Sequence, residues 1–204
     1  MLPLYNSIFF RPPLQKRLTI KAWIQHCPSC GYCNTVIDGQ TSDMAQVYIR
    51  KNFMTSPQYQ QQLKSSEYPA LANYFLCYSL ILENEEKFQE AYKQSQYAAW
   101  VCDDDKGQNY ETGAKNCRLR TAELIDKVKQ QQKQQHEPAN HEEEDINLIH
   151  IDVLRRAEQF EQALNLIKQE LNKNSSTNVL KFQQHLCETK DKKCYTMNDV
   201  KKSS

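Results

Sequence analysis

Glycine is scarce in this chain, 4 of 204 residues. That excludes a turn-rich sandwich or barrel and leaves no Gly-rich loop to cradle a phosphate. Long apolar runs are missing too: none approaches the roughly 20 residues a membrane helix needs. Charge of either sign is not in excess, with 26 Lys and Arg against 25 Asp and Glu, so no global field draws the chain to nucleic acid or anionic lipid. No nucleophile elbow, Ser-His-Asp arrangement or paired-carboxylate context stands out, and an enzyme is not expected. The first residues, MLPLYNSIFFRPPLQKR, put their basic residues after the apolar stretch, the reverse of a secretory signal.

What remains is a polar, helix-rich composition: 39% apolar residues and a mean hydropathy of −0.80. The fold class expected is mostly α, behind a small irregular or β segment over residues 1–40 in which Leu18–Ile24 is β-compatible. From Thr41 to Gln135 the pattern is helical. Ser42 or Asp43 can cap a helix reaching Phe53, and Ser56-Pro57 supplies an N-cap and first-turn proline. Pro69 opens a helix with Leu71, Tyr74, Phe75, Tyr78 and Leu82 on one face. The next carries Phe88, Ala91, Tyr92, Ser95, Ala99 and Cys102 and ends in three aspartates, Asp103 to Asp105. A further helix with Ala114, Cys117, Thr121, Leu124, Ile125 and Val128 dissolves into the tract Lys129 to Gln135. Residues 136–145 read as a polar linker. Beyond it, residues 146–194 form a hairpin marked by Ile146, Ile149, Val153 and Ala157, then Phe160, Ala163, Leu164, Ile167 and Leu171. A last helix follows, capped by Ser175 or Ser176 and running to Cys187, and residues 195–204 form a frayed tail.

Eight cysteines spread over this length do not make a disulfide mini-protein, and the chain reads as cytoplasmic and reduced. Cys77, Cys102 and Cys117 fall on or beside apolar helix stripes and read as core. Cys27-Pro28-Ser29-Cys30-Gly31 is different. A Cys-x-x-Cys turn followed by glycine sets two thiolates at the spacing of half a tetrahedral zinc site. Cys27 and Cys30 are therefore the expected metal ligands, zinc the expected cofactor, and Cys33, Cys187 and Cys194 the candidates for the remaining positions. His26 is close in sequence. A second copy of the chain could donate its own knuckle and give a zinc-bridged homodimer. A redox reading of the same residues needs a helix opening at the first thiol, and Gly31-Tyr32-Cys33-Asn34 is a poor helical turn. Asp103 to Asp105 lack the alternating ligands of a calcium loop, and His136, His141 and Glu142 to Glu144 stand in the expected linker.

An internal repeat organises the helices. Glu86-Lys87-Phe88-Gln89-Glu90-Ala91 and Glu158-Gln159-Phe160-Glu161-Gln162-Ala163 share the frame Glu-x-Phe-x-x-Ala. Their phenylalanines stand 72 residues apart (160 less 88), near two periods of a ~34-residue helical hairpin. The frame resembles the second helix of the tetratricopeptide repeat over Tyr68–Asp103 and Asp145–Asn172. The Trp, Leu-Gly and closing Pro of that repeat are missing, so no groove residues carry over. The chain also resembles a bacterial family, without an established activity, that sets a zinc-ribbon-like segment before such helices. The matching pieces are Arg11-Pro12-Pro13, Trp23 to Tyr32, Ala98 to Asp104 and Leu154 to Phe160. In that family a first Cys-x-x-Cys knuckle would precede the Arg-Pro-Pro element. Here ten residues precede it, none a cysteine, so the likeness implies either an N-terminally shortened ribbon or one that has lost half its metal site.

The expected function is a non-catalytic helical-repeat protein that binds protein or peptide partners, with a structural zinc site. The alternative is a zinc-ribbon protein contacting nucleic acid through Arg11, Lys16, Arg17 and Lys21. The near-neutral charge argues against that reading, and no membrane role is expected.

Overall fold

Ser56 and Pro57 do what their order predicts. In the computed structural model, which describes residues 17–37, 44–105, 110–135, 141–173, 177–196 and 199–201, the Ser56 hydroxyl accepts the Tyr59 amide at 3.3 Å. Pro57 then opens the helix, where its missing N–H costs nothing. The chain is mostly helical: α1 (Met44–Met54), α2 (Pro57–Leu63), α3 (Ala70–Asn84), α4 (Phe88–Asp104), α5 (Glu111–Gln135), α6 (His141–Arg156), α7 (Phe160–Leu171) and α8 (Thr177–Glu188). The strands among the described residues, β1 (Gln25–His26) and β2 (Cys33–Asn34), pair antiparallel with His26 opposite Cys33. Leu18–Ile24 is not a strand: Ile20–Ala22 form a 3-10 turn closed by the Trp23 amide on Ile20 O. The proposed caps Ser42, Asp43, Ser175 and Ser176 lie outside the described residues.

The chain makes two compact units that divide inside α5, between Leu124 and Ile125. In the unit from Leu18 to Leu124, the core gathers Ile24 and Cys33 with Tyr59, Phe75, Leu76, Ile81, Ala98 and Cys117. Leu71, Tyr74 and Tyr78 are only half-buried, whereas Ala72, Asn73, Leu76, Ser79 and Leu80 are buried. The apolar stripe read from the sequence is thus one flank of a helix packed on more than one side. Buried hydroxyls tie the helices together. Ser79 donates to Ala91 O at 2.9 Å between α3 and α4, and Ser95 donates to Cys117 O at 2.9 Å between α4 and α5. Asp103, at the unfavourable end of α4, is matched by Arg118 at 2.5 Å. At Gly113 an added Cβ would stand 2.6 Å from Glu67 O, so the bare backbone lets α5 start against the loop before α3.

In the unit from Ile125 onward, α6 packs on α7 and α7 on α8. Helix α5 does not dissolve at Lys129 but runs to Gln135, and α6 begins at His141, inside the segment expected to be linker. The tail is not wholly frayed. Tyr195 and Val200 pack on Phe182 and Leu186, and the Tyr195 hydroxyl donates to Asp191 Oδ2 at 2.5 Å. Among the described residues the largest fully buried side chain is Arg155. Its guanidinium donates to Asp152 Oδ1 at 2.8 Å, Gln183 Oε1 at 2.7 Å, and the carbonyls of Asp191 and Lys193 at 2.5 and 3.0 Å. One cation thereby fixes α6, α8 and the segment after α8.

The repeat has a structural counterpart in the turns. Glu86 (φ 58°), Glu158 (φ 65°) and Lys190 (φ 54°) are left-handed, each just past a helix end. The residue after each returns its amide to the third-last helical carbonyl: Lys87 to Leu82, Gln159 to Leu154 and Asp191 to Leu186, at 2.9, 2.8 and 2.8 Å. This is the Schellman closure, and it satisfies carbonyls that a helix end leaves open. Ala91 and Ala163, the small residues of the repeated frame, are both fully buried. Small side chains at these positions allow close approach of neighbouring helices.

Candidate metal centre

Cys27 directly follows β1 and Cys30 stands on the turn that leads into β2, so the knuckle is the tip of a hairpin. The turn is closed by Gly31 N on Cys27 O and Cys27 N on Tyr32 O, both 2.8 Å. Gly31 has φ +78°, a region that favours glycine. The amide of Cys30, then its thiol, then the amide of Ser29 donate to Cys27 Sγ and hold that thiol below its ordinary range. Burial and the neighbouring Cys27 hold Cys30 above it, although the Tyr32 amide also donates to its sulfur. Amides turned toward sulfur are what a thiolate pair needs to carry charge beside a cation. Cys27 is half-buried and Cys30 exposed, as are Pro28 and Ser29.

The knuckle is braced from beneath. Tyr59, the one aromatic of the polar helix α2, donates its hydroxyl to Gly31 O at 2.9 Å. Tyr32 accepts from Arg50 at 3.2 Å and from Asn34 at 2.8 Å. Arg50 also clasps Glu85 through Nε and, at 3.1 Å, through Nη2. Burial alone would raise the Glu85 carboxyl, but hydrogen bonds from Arg50 and Lys87 outweigh it and keep the group below the usual carboxylate range. These supports were not read from the sequence. An isolated aromatic on a polar helix was the signal for Tyr59; Arg50 and Glu85 carried none.

Of the other candidate ligands, Cys33 and His26 share the knuckle's unit, and Cys187 and Cys194 belong to the second. Cys33 points into the core, where its thiol meets Gly31 O at 3.5 Å and hydrogen-bonds to Cys77. That hydrogen bond and burial push the Cys77 thiol up. Cys102 and Cys117 are likewise buried neighbours, and burial raises Cys117 well above an ordinary thiol. The His26 ring is stacked on Tyr74 with centroids 4.3 Å apart. Cys187 belongs to the other unit, where burial raises its thiol to about 11. Cys194 is exposed there. Among the described residues no three His, Cys, Asp or Glu side chains stand together as a metal-binding group. The knuckle itself fits zinc chemically, two converging thiols with amide support, but supplies only half of a tetrahedral set.

Of the four basic residues in the nucleic-acid alternative, Arg11 and Lys16 lie outside the described residues. Lys21 is exposed and Arg17 half-buried. No described helix is long and apolar enough to cross a membrane. Comparison of the chain with protein-family models, curated proteins and solved structures gives no match in any of the three.

Proposed function

We propose that this chain is a non-catalytic helical-hairpin protein that binds protein or peptide partners on helix faces, with Cys27 and Cys30 serving a structural zinc ion. The observation that supports it best is the recurrence of one hairpin closure at Glu86 and Glu158, each followed by a fully buried alanine. Repeated hairpins build extended surfaces without needing a reaction centre, and such surfaces take up peptides as helices or extended segments. Zinc would tie the knuckle's ends together and leave the helices to recognition. We place the protein in the reducing cytoplasm, where free thiol neighbours such as Cys33 and Cys77 persist.

The test is selection of peptides from a random display library on the full chain, followed by affinity measurement at two salt concentrations. The reading expects enriched peptides with micromolar Kd and weak salt dependence. No enrichment over an unrelated helical protein, together with salt-steep binding of DNA or RNA that neutralising Arg11, Lys16, Arg17 and Lys21 abolishes, would replace it with the zinc-ribbon alternative.

A further inference from the structure

The knuckle is finished as a half-site, and among the described residues no group of three metal-ligating side chains completes it. Its turn, its left-handed glycine and its amide donors to sulfur are in place, and Tyr59 fixes its carbonyl from below. The tip residues Pro28, Ser29 and Cys30 are exposed. Within the same unit the two sequence-adjacent alternatives are packed into other contacts. Cys33 is fully buried against Cys77, and His26 lies flat on Tyr74. A tetrahedral zinc ion takes four ligands in a structural site. Two are offered, and they are offered outward.

We propose that Cys27 and Cys30 bind zinc jointly with the same two cysteines of a second copy of this chain, so that one ion closes a symmetric dimer. This rests on the reading of the knuckle as a zinc site given above. The second copy is the fitting occupant because a two-fold axis through the metal repeats the Cys27–Cys30 donor set, with its amide support, and needs no ligand of another kind. Each thiol gives up its proton on binding, so four protons leave for each ion bound, and metal uptake strengthens as pH rises.

The experiment uses the full chain without a histidine tag, titrated with zinc chloride and followed by native mass spectrometry and sedimentation. The inference expects saturation at one zinc per two chains, a doubled mass, and return to monomer on adding a chelator. Cys30→Ser, at an exposed turn, should weaken zinc uptake by more than about 100-fold and abolish the dimer, while Cys194→Ser leaves both unchanged. Circular dichroism confirms that each variant folds. One zinc per chain in a monomer would overturn the dimer while leaving the zinc reading standing, and loss of zinc in Cys194→Ser would assign the missing ligand to that thiol. No zinc uptake, with Cys27 and Cys30 freely alkylated at all zinc concentrations, would overturn both. A dimer that survives the chelator would also contradict a metal bridge.

Discussion

Single residues set the local conformations on which the account depends, and two of them give measurable consequences. At Gly31 the left-handed backbone strains any side chain, and an added Cβ would also stand 2.7 Å from the Leu63 methyl. Leu63 can swing aside, so the backbone term dominates, and Gly31→Ala should cost about 1–2 kcal/mol in urea denaturation. The same substitution should weaken zinc uptake, because the turn aligns the two sulfurs. His150 is the second case. It is buried, accepts the Lys129 ammonium at 2.9 Å, and stands 3.9 Å from Asp126. Burial, then the Lys129 charge, lower its pKa to about 3 from 6.5. The unfolded chain therefore takes up a proton below about pH 6.5 that the folded chain refuses, and stability falls as pH falls. Between pH 7 and pH 5 this one group should cost about 2 kcal/mol. His150→Gln should flatten the pH dependence of stability by that amount; an unchanged slope would mean that the imidazole titrates freely.

At the scale of elements, the three left-handed helix ends carry a prediction of opposite sign. Lys190 is exposed and its side chain gains little from its place, so the conformation is strained for lysine and free for glycine. Lys190→Gly should raise the urea midpoint by an equivalent of about 0.5–1 kcal/mol, and Lys190→Val should lower it. Arg155 works the other way. Removing its guanidinium would leave the buried Asp152 carboxylate with only Gln183 at 3.5 Å and open the bonds that hold the Asp191 and Lys193 carbonyls. Arg155→Ala should cost about 3–5 kcal/mol and release the segment after α8, which limited proteolysis would detect.

Elements were legible where local chemistry decides. The Ser56-Pro57 start and the helical periodicity read true because capping and packing act over a few residues, although Leu71, Tyr74 and Tyr78 mark only one flank of their helix. The tract Lys129 to Gln135 misled because it holds no aliphatic residue, yet glutamine and lysine are good helix formers and prolong α5 once it is nucleated. The tail misled because its anchors, Tyr195 and Val200, are lone apolar residues in a polar stretch whose partners Phe182 and Leu186 lie on α8. In the candidate site, Cys27 and Cys30 were visible from spacing alone. The inward turn of Cys33 was not, since it depends on strand alternation and on Cys77 and Tyr59, far off in sequence.

For the molecule as a whole, a braced knuckle accompanies helices whose closures recur, and the proposed function rests on the helices. If hairpin faces are the working surface, a partner must shield them and not the hairpin tip. Hydrogen–deuterium exchange of the full chain, with and without a peptide selected on it, reads this most directly. The account predicts added protection along α3, α4, α6 or α7, with the amides of residues 25–34 unchanged. Protection confined to residues 25–34, or none on the helices, would contradict the claim that this is a helical-hairpin binding protein.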